Sequence, residues 1–233
     1  MLRLLGLMGG ALLLADLAAA QEPRAHPDDL TGWYVGFRAI VGASDEDTGF
    51  EVLPPGTISV GEDSYDPQEN FGAGIAIGFR SEIHNLPVRT ELSGSWMYRH
   101  DADMRVLSGA GTAMYQNDLA IWDARLSVLA DVIQFSWGSF YFGGGLGVAF
   151  LDSAVQIEGT QTSADNEDWR FSPSVQAGLV INDVFKRVDI EIGYRFRWLG
   201  NTESGAFPTG EQLTYDDANI HEVSIGVIVP IGR

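Results

Sequence analysis

No cysteine occurs in this chain of 233 residues. That excludes a disulfide framework and any thiolate metal site. Beyond the first twenty residues, no segment supplies the ~20 consecutive apolar residues that a membrane-crossing helix needs. Positive charge is scarce as well. Fourteen Lys and Arg stand against 32 Asp and Glu, for a formal net charge of −18, which argues against nucleic acid and anionic surfaces as direct partners.

Alternation is what the chain has in quantity. In Phe71-Gly72-Ala73-Gly74-Ile75-Ala76-Ile77-Gly78-Phe79, the odd positions are apolar and the even ones are small. That is the period-two pattern of a strand with two unlike faces. The same pattern predicts strands over about 32–43, 70–80, 86–99, 118–132, 139–151, 170–181, 187–199 and 219–231. Each is at least as long as the ~9–11 tilted residues needed to span a bilayer. Parity assigns Trp33, Phe37, Val88, Leu92, Leu126, Phe142, Leu146, Ile192 and Ile225 to the apolar face. The opposite face carries Arg38, Arg80, Arg89, Glu91, Arg99, Asp123, Arg125, Asp131, Asp189, Glu191, Arg195, Arg197 and Glu222. The predicted fold class is all-β: an eight-stranded antiparallel up-and-down transmembrane barrel, apolar outside and charged inside. A soluble sandwich, with the charged face in water, is the competing arrangement.

Three features favour the barrel. Residues 1–20 read as a cleavable secretory signal, with Arg3, an apolar stretch from Leu4 to Leu14, and Ala18-Ala19-Ala20 before Gln21. Residues 21–31 then form a short tail, and 32–231 the barrel. Aromatic side chains gather toward strand ends, with Phe71, Trp96, Tyr98, Phe150, Trp169, Phe171, Phe196 and Trp198 at one end. Trp33, Phe79, Phe135, Trp137 and Phe140 lie at the other, as expected of rings at headgroup level. Connections also alternate, long near 44–69, 100–117, 152–169 and 200–218, short near 81–85, 133–138 and 182–186. Short turns belong to the periplasmic side and long loops to the outside. Pro54-Pro55-Gly56 and Gly109-Ala110-Gly111 predict that strands continue above the membrane as hairpins.

The charge excess is local. The four long connections hold 19 acidic residues against Arg105 alone, while the rest of the chain beyond the signal balances to zero. Hydration of the loops is one reading. The other is divalent-cation binding at Asp45-Glu46-Asp47 and Asp165-Asn166-Glu167-Asp168, bridging to lipopolysaccharide phosphates. No metal ligand set is assigned.

An eight-stranded lumen is just wide enough for side chains. Inward arginines and carboxylates should therefore pair across it, since an unpaired buried charge is costly. Gly72, Gly74 and Gly78, and Gly143, Gly145 and Gly147, leave room for Arg89, Arg125 and Gln176 to lie across. Gly143-Gly144-Gly145-x-Gly147 lies within a strand and opens no helix, so it is not read as a phosphate loop. Of the histidines, His26 falls in the tail and His84 in a short turn. His100 and His221 lie near the rim beside Asp101, Asp103 and Glu222, where a His–carboxylate pair with Ser224 would suit lipid-ester hydrolysis. Parity opposes it, with His221 outward and Ser224 inward. The chain is expected to be non-enzymatic, with no catalytic residues and no cofactor.

Gly32-Trp33-Tyr34-Val35-Gly36-Phe37-Arg38, Phe142-Gly143-Gly144-Gly145-Leu146-Gly147 and Ile192-Gly193-Tyr194-Arg195-Phe196 resemble small Gram-negative outer-membrane β-barrels. The likeness is to the OmpA-like transmembrane domain and the opacity proteins, the alphaproteobacterial surface-antigen type. It implies the outer membrane, a monomer, and partners in outer-membrane lipid, lipopolysaccharide and the barrel-assembly machinery. The ending Val229-Pro230-Ile231-Gly232-Arg233 departs from the aromatic end usual in that family. The resemblance fixes architecture better than role; an envelope-stabilising or surface-contact role through the acidic loops, with a side-chain-plugged lumen, is the expectation. A narrow solute channel and a lipid-modifying enzyme are the alternatives.

Overall fold

The computed structural model describes residues 31–52, 56–58, 69–84, 86–108, 111–157, 163–185, 188–203 and 211–231. Side chains are described outside 44–52, 56–58, 99–108, 111–117, 157, 201–203 and 211–218. Nine strands follow one another: β1 (Gly32–Val52), β2 (Gly56–Ile58), β3 (Glu69–Ile83), β4 (Leu86–Ser108), β5 (Gly111–Phe135), β6 (Gly138–Ile157), β7 (Ser163–Ile181), β8 (Asp189–Glu203) and β9 (Glu211–Pro230). All pairings are antiparallel: β1 pairs with β3, each strand from β3 to β8 pairs with the next, and β9 returns to pair with β1. Eight strands thus close a ring, while β2 only adds a short hairpin to the top of β1. Closure pairs every ring strand on both sides, so backbone groups are satisfied strand to strand without water over most of the wall, the β7–β8 ladder ending at Ser174↔Arg197.

Parity runs as the sequence dictates. Phe71, Ile75 and Ile77 are exposed, as are Leu92, Leu126, Leu146 and Ile225. Arg89, Arg125 and Arg197 are at most 1% exposed. Val88 departs from this reading: placed on the outer face by parity, it is 8% exposed, between Ser81 and Ala130 at the turn end of β4. The strands also reach further than predicted. Phe50↔Ile58 to Val52↔Gly56 forms the expected hairpin beside Pro54-Pro55, with Gly56 in strand rather than turn. Met104↔Tyr115 to Ser108↔Gly111 forms the second hairpin. Residues 152–156 and 163–169, expected in a loop, continue the β6–β7 ladder. Alternation forces no stop there, because a polar strand above the lipid needs no apolar face.

The short turns match expectation. Ser136-Trp137 joins β5 to β6 with Phe135 opposite Gly138. Gly138 has no room for a side chain, since a Cβ there would lie 2.1 Å from the Val180 carbonyl oxygen. His84 and Asp183, in the other two turns, have φ of 52° and 55°. Aspartate tolerates that left-handed region better than most residues. Register irregularities sit mainly on the loop side, at Asp45/Asp47, Arg99/Ala102, Trp198/Gly200 and Gly200/Thr202. Expectations for residues 1–30, and for the side chains of Asp45, Glu46, Asp47, His100, Asp101 and Asp103, fall outside the described residues.

Candidate functional site

The lumen is the candidate site, and it is filled in storeys. At the turn end, Tyr34, Leu129, Tyr141, Val180 and Ile228 form a buried cluster. Among and above them lies the first charged storey. Arg38 reaches Glu91 at 2.7 Å and Glu191 at 2.6 Å. Arg89 meets Glu191 at 3.2 Å and Asp131 at 3.5 Å. Arg80 holds Asp189 at 2.9 Å, and the Tyr34 hydroxyl donates to Glu91 at 2.6 Å. Arg80 and Arg89 stand directly opposite each other across β3 and β4. Carboxylates on β4, β5 and β8 separate the two like charges.

A second charged storey lies nearer the loops. Arg125 bridges Asp123 through Nε at 3.1 Å and Nη2 at 3.0 Å. It also donates to the Ser172 carbonyl at 2.8 Å, the Ser172 hydroxyl at 2.9 Å and the Ser174 hydroxyl at 2.5 Å. Glu222 takes Arg195 at 2.6 Å and Arg197 at 2.8 Å. Arg–carboxylate forks of this kind combine charge with directed hydrogen bonds. Ile40, Met97, Leu119, Ile121, Ala149, Leu151, Leu199 and Ile220 then close the loop end with an apolar cluster. Between the charged storeys lies a cavity of about 20 Å³, lined in part by Arg38, Tyr141, Gln176, Arg195, Glu222 and Ser224. That is room for about one water molecule.

The predicted pairing of inward charges is therefore observed, but the glycines serve different side chains from those expected. Arg125 does lie against the β6 glycines: Cβ atoms at Gly145 and Gly147 would come within 3.2 Å of its Cδ and 3.0 Å of its Nη2. Arg89 does not. Its guanidinium sits 4.4 Å from the centre of the Tyr141 ring, a cation–π arrangement. Gly78 makes room for Tyr34, and Gly178 for Tyr141. Tyr34, Tyr141 and the apolar inward residues are not singled out by charge in the sequence, although strand parity places them inside.

The other candidates separate. His221 is exposed, with Nδ1 2.6 Å from the Tyr194 hydroxyl, while Glu222 is buried on the opposite face with its arginines. The two do not form a dyad. Asp165 and Glu167 point outward from β7, and Asp168 pairs with Arg170. The acidic run is thus split between two faces of a strand, not gathered into one cluster. Among the described residues no group of three or more metal-ligating side chains is assembled. Outside, Trp96, Trp122, Phe150 and Trp169 stand in one ladder row across β4 to β7. Trp96–Trp122 and Phe150–Trp169 centroids are 6.0 and 5.0 Å apart. Trp33 meets Phe79 at 5.2 Å at the turn end.

Apolar outer face, paired charges within and aromatic rows at both ends define a transmembrane β-barrel. Its fold is that of the small eight-stranded outer-membrane barrels. Among solved structures it is similar to Neisserial surface protein A, with 17% identity, 86% of this chain and 97% of that chain covered, and a TM-score of 0.50. It is similar also to the outer membrane protein OprG from Pseudomonas aeruginosa, with 10% identity, 90% and 100% coverage, and a TM-score of 0.52. No family model and no curated protein matches the chain. Fold and surface polarity together place it in the outer membrane.

Proposed function

We propose that this barrel is a non-catalytic envelope protein whose lumen is closed by its own side chains, acting structurally or through surface contacts on its loop side. The carrying observation is the pair of charged storeys, in which Arg38, Arg89, Arg125 and Arg197 each meet at least one carboxylate and the space between storeys takes about one water. The separation of His221 from Glu222 supports a non-enzymatic reading over lipid hydrolysis. Its partners in this reading are outer-membrane lipid and lipopolysaccharide, with divalent cations bridging loop-side carboxylates to phosphates. The barrel-assembly machinery inserts it, and one copy suffices.

Reconstitution into planar bilayers tests the closed lumen. The wild-type barrel is expected to give no stepwise conductance. Discrete openings in the wild type would overturn the proposal in favour of a narrow channel.

A further inference from the structure

The two charged storeys do not balance separately. Among the described side chains, Arg38, Arg80 and Arg89 meet Glu91, Asp131, Asp189 and Glu191 in the storey nearer the turns. Arg125, Arg195 and Arg197 meet only Asp123 and Glu222 in the storey nearer the loops. The lower storey thus holds one more carboxylate than guanidinium, and the upper storey one more guanidinium than carboxylate. Above both, Asp168 and Arg170 cancel each other.

The two excesses lie in different surroundings. The extra carboxylate falls at the turn end, where Asp189 accepts from Arg80 and also from the Asp183 N–H at 3.0 Å. Asp131, also at that end, keeps 13% of its side chain exposed. The extra guanidinium has neither outlet. The Arg125 and Arg197 side chains are fully enclosed. Arg195 and Arg197 share Glu222, one on each carboxylate oxygen, so a single negative charge serves two cations. Asp123 is shared in the same way by Arg125 at 3.0 Å and Arg197 at 3.6 Å. A buried charge short of a counter-charge is costly.

The cavity of about 20 Å³ adjoins this storey. Its wall presents the guanidinium groups of Arg195 and Arg38, the Gln176 amide, and the Tyr141 and Ser224 hydroxyls. Glu222 is the one carboxylate among them, and its two arginines already hold it. A missing side chain keeps the space open. A Cβ at Gly193, which also lines the cavity, would stand 2.7 Å from the Tyr141 hydroxyl oxygen and 3.0 Å from that of Ser224. Two guanidinium groups against one shared carboxylate favour a negative occupant. The volume admits one particle of about the size of a water molecule, which excludes sulfate, phosphate and organic acids.

From these observations we propose that the cavity between the storeys is a buried halide site, in which one chloride ion, bound by Arg38, Arg195, Gln176 and Ser224, supplies the counter-charge that the upper storey lacks. The ion is enclosed as the strands close into a ring, so it binds the folded barrel and not the unfolded chain. Chloride then stabilises the fold by mass action. The site rests on the closed lumen proposed above. Bilayer conductance reads that closure, whereas halide binding reads only what lies between the storeys.

Two measurements on the wild-type barrel test the site. Crystals grown with sodium bromide as the sole halide are expected to show an anomalous bromide peak among Arg38, Arg195, Gln176 and Ser224. An ordered water at that place, with bromide on the outer surface or nowhere, would overturn the proposal. In lipid vesicles, the urea unfolding midpoint is followed as sodium chloride replaces sodium gluconate at constant ionic strength. The midpoint is expected to rise and then level off, because a single site saturates. A midpoint that stays flat or falls would overturn the site as well. Ser224→Ala removes one donor without filling the cavity, and should raise the half-saturating chloride concentration roughly 2–10-fold. An unchanged half-saturation in S224A would refute the assignment of the ion to this cavity.

Discussion

At the residue scale, the lumen shows why a buried charge is tolerable only in company. Glu191 is 1% exposed and accepts from both Arg38 and Arg89. Removing its charge leaves two buried guanidinium groups short of a partner. E191Q is expected to destabilise the barrel by about 3–5 kcal/mol, read from the urea unfolding midpoint in lipid vesicles. Asp168 and Arg170 form a contrasting pair, with both side chains 30% exposed. D168N should shift stability by no more than ~1 kcal/mol, because water screens the pair. A D168N loss as large as that of E191Q would contradict the difference in burial on which the comparison rests. Both positions carry the same charge in the sequence, and parity puts each on an inward face. Only the depth along the strand separates them, and that depends on where neighbouring strands stop.

At the scale of the element, turns and ladder ends carry the information that alternation lacks. The β7–β8 turn holds Asp183 at φ of 55°, with its N–H donating to the Asp189 carboxylate at 3.0 Å. A β-branched residue is strained at that backbone angle by about 1–2 kcal/mol. D183V should therefore lower the unfolding midpoint, while D183G should leave it unchanged. If both substitutions behave alike, the backbone angle is not what selects aspartate here. Strand existence was readable from period two for all eight barrel strands. Strand length was not. Asp165 to Asp168 looks like a loop because it is polar on both faces, yet β6 supplies it a partner as far as Ser163. Backbone hydrogen bonds extend a ladder wherever a neighbouring strand is present, whatever the side chains.

At the scale of the whole molecule, the decisive property is which face meets which medium. Leu126 lies 56% exposed at the middle of an apolar row. Arginine at such a lipid-facing position costs about 2–4 kcal/mol near the bilayer midplane. L126R is expected to destabilise the folded barrel in vesicles by that amount, and an unchanged midpoint would put that face in water. The result bears on the alternative that period two leaves open. A sandwich and a barrel share the same alternation, and differ only in whether the last strand returns to the first.

Three things were determined by the sequence alone: the number of barrel strands, the sign of each face, and the balance of charge inside them. These are local properties, since side chains on a strand alternate wherever the strand goes. The tertiary structure decided the rest. Ring closure through Val35↔Val229 and its neighbours turned two-faced strands into an inside and an outside. It also brought Arg38, Arg89 and Glu191 together from strands 51 to 153 residues apart in the chain. Tyr34 and Tyr141 became lumen residues because glycines on neighbouring strands left them space. Nor does any single segment show that the β7–β8 ladder stops at Ser174↔Arg197 while β8 continues along β9 to Glu203↔Thr214, because pairing is decided between strands and exists only once both neighbours are in place.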